Sequence, residues 1–299
     1  MLDYKLLEAL ALVVREGGFE RAAQALHLTQ SAVSQRVRLL ETQLGRPLLV
    51  RATPPYATES GRELLRHYNQ ARLLEDELAE RLAPREESGF QRLPLAVNAD
   101  SLAIWFLEAL APLLAEQRIL LDLTVDDQER THEQLERGEV AGCLSTLPEP
   151  VRGTRCVRLG VMPYFCCAAP AFARCWFTHG LTPETARRAP AVLFNRKDAA
   201  HDDFLGLLFG PQAIRLTPGP RHYVPSSEKF VDMAVLGLAY GLIPAHQARP
   251  HLDSGALVRL APQKALDVVL YWHSWDLESD LMSAVQRRLL QQAERSLEK

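Results

Sequence analysis

The sequence predicts two architectures in one chain: an all-α winged helix-turn-helix N-terminal domain, followed by an α/β domain of two lobes. Three observations carry this reading. Residues 20–41 read as two short helices around a tight turn, and residues 58–82 hold no Gly or Pro after Gly61, the pattern of one long helix. From Phe90 onward, strand-like apolar runs alternate with helical ones.

Bulk properties fit that division. The 299 residues are 47% hydrophobic and 24% charged, with a net charge of −3, as in a soluble globular chain of two or three compact units. No basic-then-apolar leader is visible, and no run approaches about 18 uninterrupted apolar residues. The expectation is therefore a cytoplasmic protein with no membrane partner. Five cysteines form an odd set without a Cys-x-x-Cys pair or a His at metal spacing, so buried reduced thiols and no metal are expected. Only the adjacent Cys166 and Cys167 hint at redox chemistry.

Asp3 is placed to cap a first helix running to about Glu16, with Leu6, Leu7, Leu10, Val13 and Val14 inward and Gly17-Gly18 as its stop. In the next two helices, Ala22, Ala23 and Leu26, then Val33, Val37 and Leu40, recur at three- and four-residue steps and must be the packed side. The short turn His27-Leu28-Thr29 forces a sharp crossing, and Thr29 suits the N-cap. Gln30, Ser31, Ser34, Gln35 and Arg38 then point outward. These side chains suit base edges and phosphates, Gln for adenine and Arg for guanine, while Ser permits close approach. A solvated face of an ordinary bundle would have the same outline. Residues 44–58, with Pro47, Pro54 and Pro55, read as a small β wing. Between positions 21 and 51 there are five arginines against Glu41 alone, a local excess of four positive charges that favours DNA phosphate.

On the long helix, Leu64, Tyr68, Ala71, Leu74, Leu78 and Leu82 advance by three or four, as in a seam that pairs with another helix. A helix lying on its own domain would show the same stripe. Residues 83–89 are polar, begin at Pro84 and close at Gly89, and read as a linker. The expected units are thus 1–58, 59–89 and 90–299. In the last, strands are expected at 93–97, 119–125, 140–145, 156–159, 165–169, 191–194, 221–224, 242–243, 257–260 and 268–272. Helices are expected at 101–116, 128–137, 227–236 and 278–297. Repeated β-α-β order implies a mainly parallel sheet in two lobes, one of 91–160 with 266–299 and the other of 161–265.

In such sheets ligands collect beyond the strands' carboxyl ends, at helix N-termini. That rule selects Asp100 and Ser101, Asp126 and Asp127, Ser145, Asn195, and Ser226, Ser227 and Glu228 as effector candidates. Many of these residue types also cap helices anywhere. Together, hydroxyls and N–H groups suit a carboxylate while the acids suit a cation, a pairing that an amino acid with a basic tail satisfies. A divalent cation would need a denser ligand pattern.

The first 60 or so residues resemble the DNA-binding domain of LysR-type transcriptional regulators, through residues 18–26, 29–35, 39–41 and 44–45. That resemblance implies base reading by Gln30, Ser31, Ser34 and Gln35, with Arg51 on the wing and Thr29 and Arg36 nearer the backbone. Residues 49–55, 97–103, 134–142, 225–231 and 270–273 further resemble the lysine- and arginine-responsive ArgP/LysG branch of the family. The resemblance implies a periplasmic-binding-protein-like effector domain and no cofactor. It also implies a small-molecule effector, L-lysine or L-arginine, and control of basic amino-acid export or metabolism. The implied partners are a double-stranded DNA operator, a second copy in a homodimer or a tetramer, and RNA polymerase. Ser101 and Ser227 are then expected to take the ligand carboxylate, and Asp100, Asp126 or Asp127 its cation. Residues 145–153 and 195–201 depart from the branch pattern, where Arg196 and Lys197 add positive charge. A regulator responding to another metabolite is the alternative. An enzyme is not expected, since no Gly-x-Ser-x-Gly, phosphate loop or His-Glu-x-x-His occurs.

Overall fold

The structure is a computed structural model that describes residues 2–82, 89–125, 131–150, 153–210 and 219–299. Most of the expected linker, and Asp126 and Asp127 with the start of the helix expected at 128–137, lie outside the described residues.

The N-terminal unit is built on local signals. Helix α1 (Tyr4–Arg15) is capped by Asp3, whose carboxylate accepts from Lys5 N at 2.9 Å. Helix α2 (Phe19–Ala25) and helix α3 (Gln30–Leu44) cross through a turn at His27, where φ is +53° and Leu28 N donates to Ala23 O. Leu7, Leu10, Val13, Ala22, Val33, Val37 and Leu40 form its core. Strands β1 (Leu49–Val50) and β2 (Tyr56–Ala57) pair antiparallel as the wing. Glu41 ties the wing to α3 by accepting from Leu48 N at 2.9 Å.

Helix α4 (Glu59–Leu82) starts at Thr58, whose Oγ1 accepts from Gly61 N at 3.1 Å. Its apolar stripe does not act as one seam. Leu64, Leu65 and Tyr68 pack on the N-terminal core, and Leu73 enters the core of the following domain. Leu74, Leu78 and Leu82 are 38%, 50% and 76% exposed, so among the described residues these three of the expected stripe stand open to a partner. The split arises because α4 lies against both parts of its own chain.

The remaining elements alternate strand and helix, but the helices Pro170–Trp176, Pro183–Arg188, Ala200–Phe209 and Ala245–Asp253 are not among those expected, and the sheet differs. Strand β3 (Gln91–Val97) leads into α5 (Ala99–Ser101), which continues through a π-helical turn at Leu102–Phe106 into α6 (Leu107–Glu116). Then come β4 (Ile119–Val125), α7 (Thr131–Glu136), β5 (Gly142–Ser145) and β6 (Thr154–Ala168). Helices α8 (Pro170–Trp176) and α9 (Pro183–Arg188), strand β7 (Ala191–Leu193) and helix α10 (Ala200–Phe209) follow. The chain ends with β8 (Arg221–Tyr223), α11 (Ser227–Val235), β9 (Gly241–Pro244), α12 (Ala245–Asp253), β10 (Val258–Arg259), β11 (Leu266–Trp275) and α13 (Asp280–Ser296).

The expectation of a mainly parallel sheet is corrected. Strands β3, β4 and β5 are parallel, but β11 pairs antiparallel with both β5 and β6, and β6 pairs antiparallel with β9 and β10. The cause is that β6 and β11 are the two crossings between lobes and run side by side in opposite directions. Two strands expected at 156–159 and 165–169 are one strand, β6. Opposite Leu270/Tyr271 the register skips Leu159, so β6 carries an extra residue where its apolar alternation breaks. Strands β7 and β8 pair in parallel, and Val192 N donates to Tyr240 O, joining them to β9 in the second lobe.

The cysteines are free thiols among the described residues; Cys143, Cys166 and Cys167 are buried and Cys156 is half-buried. Cys175 corrects the expectation, for it stands exposed on the short helix α8. Among the described residues no helix is long and apolar enough to cross a membrane.

Candidate functional site

Helix α3 separates its faces as its periodicity demands. Val33, Val37 and Leu40 are fully buried, while Gln30, Ser31, Gln35 and Arg38 are exposed and Ser34 and Arg36 half-buried. Thr29 Oγ1 accepts from Ala32 N at 3.2 Å, fixing the first turn so that these side chains project from a rigid end. Arg51 on the wing lies 3.8 Å from Glu41 and stands over the Phe19 ring. The result is a narrow polar helix face, backed by a packed core and flanked by a cationic wing. Such a helix fits a DNA major groove.

The second site lies between the lobes. A cavity open to solvent is lined by Asn98, Ala99 and Asp100 after β3 and by Tyr164 on the crossing strand β6. The second lobe supplies Val192, Phe194, Asp198, Ala200, His201, Ser227, Phe230, Leu242 and Pro244. Its mixed lining suits a small molecule with an apolar stem and polar ends.

Asp100 is the centre of its polar wall. Ser227 Oγ donates to Oδ1 at 2.5 Å and Tyr164 Oη donates to Oδ2 at 2.6 Å, so the contact spans both lobes. Burial pushes its carboxyl above the usual carboxylate range; the two hydroxyls oppose that shift, and Asp198 adds to it. Asp198 is held by backbone amides, accepting from Phe194 N at 3.0 Å and Ala200 N at 3.1 Å. Two acids from opposite lobes therefore address one cavity.

The expected effector residues divide. Asp100 and Ser227 line the cavity. Ser101 does not: it is fully buried behind it, and its Oγ has no partner among the described residues. Ser145 is buried at the end of β5, accepting from Leu147 N, and Asn195 closes its own turn by accepting from Lys197 N at 2.6 Å. Ser226 caps α11 through Lys229 N, and Glu228 is exposed. None of these four lines the cavity; they serve as capping, turn or surface residues. Asp126 and Asp127 lie outside the described residues. Sequence reasoning missed Tyr164, which fell between two expected strands, and His201. Asp198 lay in a selected turn but was passed over for Asn195. Among the described residues, no three His, Cys, Asp or Glu side chains converge as metal ligands.

A DNA-reading helix joined by one long helix to a two-lobed binding domain defines a class, the ligand-responsive transcriptional regulator. Residues 4–62 match the bacterial regulatory helix-turn-helix proteins of the lysR family, and residues 87–294 match the LysR substrate binding domain. The chain belongs to the lysR family and is a transcriptional regulator rather than an enzyme. It is 48% identical over 299 residues to the HTH-type transcriptional regulator ArgP of Aeromonas salmonicida, covering 99% of this chain and 98% of that one. The crystal structure of ArgP from Mycobacterium tuberculosis is similar at a TM-score of 0.85 and 37% identity, covering 100% of this chain and 99% of that one. Full-length LysG from Corynebacterium glutamicum with bound effector Arg is similar at a TM-score of 0.79 and 32% identity, with 100% of both chains covered.

Proposed function

We propose that this chain senses L-arginine or L-lysine in the cavity between its lobes and controls genes of basic amino-acid export or metabolism. The observation that carries the reading is the pair Asp100 and Asp198, set on opposite lobes around one partly apolar cavity. A basic amino acid has two cationic groups to offer them and an aliphatic stem for Phe194, Phe230 and Leu242. A neutral amino acid has only one. The backbone amides at the start of α11 are then the partners for the ligand carboxylate, and the Ser227 hydroxyl, which donates to Asp100 in the free protein, joins them once the ligand's cation takes its place at Asp100. The arginine bound by LysG and the name of the ArgP relatives support the same ligand class.

The output is operator binding through Gln30, Ser31, Ser34 and Gln35, with Arg36, Arg38 and Arg51 on phosphate or wing contacts. Two copies joined along Leu74, Leu78 and Leu82 would place two reading helices on a palindromic site. Residues 1–58, 59–89 and 90–299 are taken as the working units, and the cytoplasm as the place of action. Ligand binding that favours one lobe geometry then shifts the DNA-bound population.

Calorimetry on the full chain tests the ligand class with arginine, lysine, citrulline and leucine. Arginine or lysine is expected to bind at least tenfold more tightly than citrulline, which keeps arginine's shape without its charge. Equal binding of all four, or binding of none, overturns the reading. Genome-wide footprinting with and without the effector then reports operators and response together.

A further inference from the structure

His201 is 4% exposed in the cavity wall, on the first turn of α10. Its Nε2 lies 3.2 Å from the hydroxyl of Tyr240, and that hydroxyl donates its single proton to Ala186 O at 2.9 Å. Toward His201 the tyrosine can therefore only accept, so Nε2 must carry a hydrogen. Burial lowers the ring's pKa to about 4, which keeps it neutral at ordinary pH. Its second nitrogen, Nδ1, is then a bare acceptor, and it has no partner among the described residues. A buried acceptor without a donor is costly, and Arg221, the nearby cation, is engaged by Asp202 at 2.5 Å. The tilted Tyr240 ring, 5.2 Å from the imidazole, further restricts its rotation.

Three residues earlier stands Asp198, on the same wall of the same cavity. A carboxylate beside a neutral acceptor matches a planar group with several N–H donors, of which only part need meet a charge. A guanidinium has five such donors in a fixed fork, whereas an ammonium is a compact point charge.

We propose that His201 Nδ1 accepts a hydrogen bond from the ligand's guanidinium and sets a preference for arginine over lysine. This rests on the cavity being the basic amino-acid site. Tyr240 is its positioning residue, holding the tautomer that leaves Nδ1 bare.

The test compares arginine and lysine binding by calorimetry in the wild-type chain, His201→Leu, His201→Asn and Tyr240→Phe, with thermal denaturation to establish folding. Wild type is expected to favour arginine. His201→Leu is expected to lose at least tenfold in arginine affinity and less than threefold in lysine affinity. His201→Asn, whose Oδ1 can stand where Nδ1 stood, is expected to recover most of the preference. In ¹⁵N-histidine spectra, the free protein should show the Nε2–H tautomer, and arginine should shift Nδ1 as a new acceptor. If His201→Leu does not fold, Tyr240→Phe and the spectra decide: retained preference with an unmoved Nδ1 overturns the proposal. A folded His201→Leu with unchanged arginine affinity overturns it and leaves the ligand class standing. Failure of wild type to bind either amino acid overturns both.

Discussion

Glu77 caps a helix that begins beside Ser279, 202 residues further along the chain: Ser279 Oγ donates to Glu77 Oε1. Asp280 N donates to Oε2 at 3.2 Å and Leu281 N to Oε1 at 3.4 Å, while Ser279 itself accepts from Met282 N at 3.0 Å. The first amides of α13 have no acceptors within the helix, so a buried carboxylate from α4 supplies them. This fastens the helix that leads from the DNA-reading unit to the domain that holds the cavity. Replacing Glu77 by Ala leaves these donors unsatisfied at a cost of about 1–3 kcal/mol. Hydrogen exchange at the Asp280 and Leu281 amides is expected to rise sharply, and less so in Glu77→Gln, which keeps an acceptor. Unchanged exchange in the Ala variant would remove the capping role.

A second fastening predicts a steric effect. Asn69 Nδ2 donates to Gly138 O at 2.7 Å, and Gly138 has φ of +71°. A Cβ at position 138 would lie 2.5 Å from the Arg66 Cα, against the backbone of α4. Gly138→Ala must therefore both strain its own backbone and push α4 away, at about 1–3 kcal/mol. A melting temperature lower by several degrees is expected. Asn69→Ala, which loses only the hydrogen bond, should cost about 1 kcal/mol. If Gly138→Ala melts with the wild type, the close approach of α4 is not maintained in solution.

On the reading helix, the exposed side chains and the cap are separable. Ser34→Ala and Gln35→Ala should each reduce discrimination between operator and unrelated DNA by about 1–3 kcal/mol, with little change in melting temperature. Arg38→Ala should weaken both DNAs and flatten the dependence of binding on salt. Thr29→Ala should instead lower the stability of α3 by about 1 kcal/mol, because it frees the Ala32 amide. Gel shifts at two salt concentrations, beside thermal melts, distinguish these patterns. Full discrimination in both Ser34→Ala and Gln35→Ala would move the base contacts elsewhere.

What was legible in the sequence follows the range of the forces involved. Asp3, Thr29 and Thr58 act on amides two or three residues away, so their helix starts could be read in one dimension. Helices α8, α9 and α10 are short and their apolar periodicity is weak, although Pro170 and Pro183 sit at first-turn positions that mark a helix start. The cavity was legible only in part. Asp100 and Ser227 follow from the rule of strand ends, but their direct contact depends on how the lobes close. Tyr164 reaches Asp100 because β6 crosses between lobes, a fact of topology with no local signature. Ser101 is one residue from Asp100, yet its place in the helix turns it into the core.

The Asp100 carboxyl gives the proposed ligand response a pH signature. Burial raises its pKa, the hydrogen bonds from Ser227 and Tyr164 lower it, and Asp198 raises it, with a net upward shift. Without ligand, the folded protein holds the Asp100 proton more tightly than the unfolded chain does. That stabilising contribution is complete below the unfolded carboxylate value of about 3.9 and is lost as pH rises through the folded one. A bound cation reverses the preference, because it favours the charged carboxylate. Arginine or lysine binding should therefore release protons in the window above the ordinary carboxylate range, and affinity should fall as pH drops through it. Calorimetry in two buffers of different ionisation enthalpy measures this release at each pH. Release should vanish well above the window, where Asp100 is already charged, and at every pH in Asp100→Asn, which should also bind more weakly. Binding enthalpies that are the same in both buffers throughout the acid range would show that the ligand's cation does not meet Asp100.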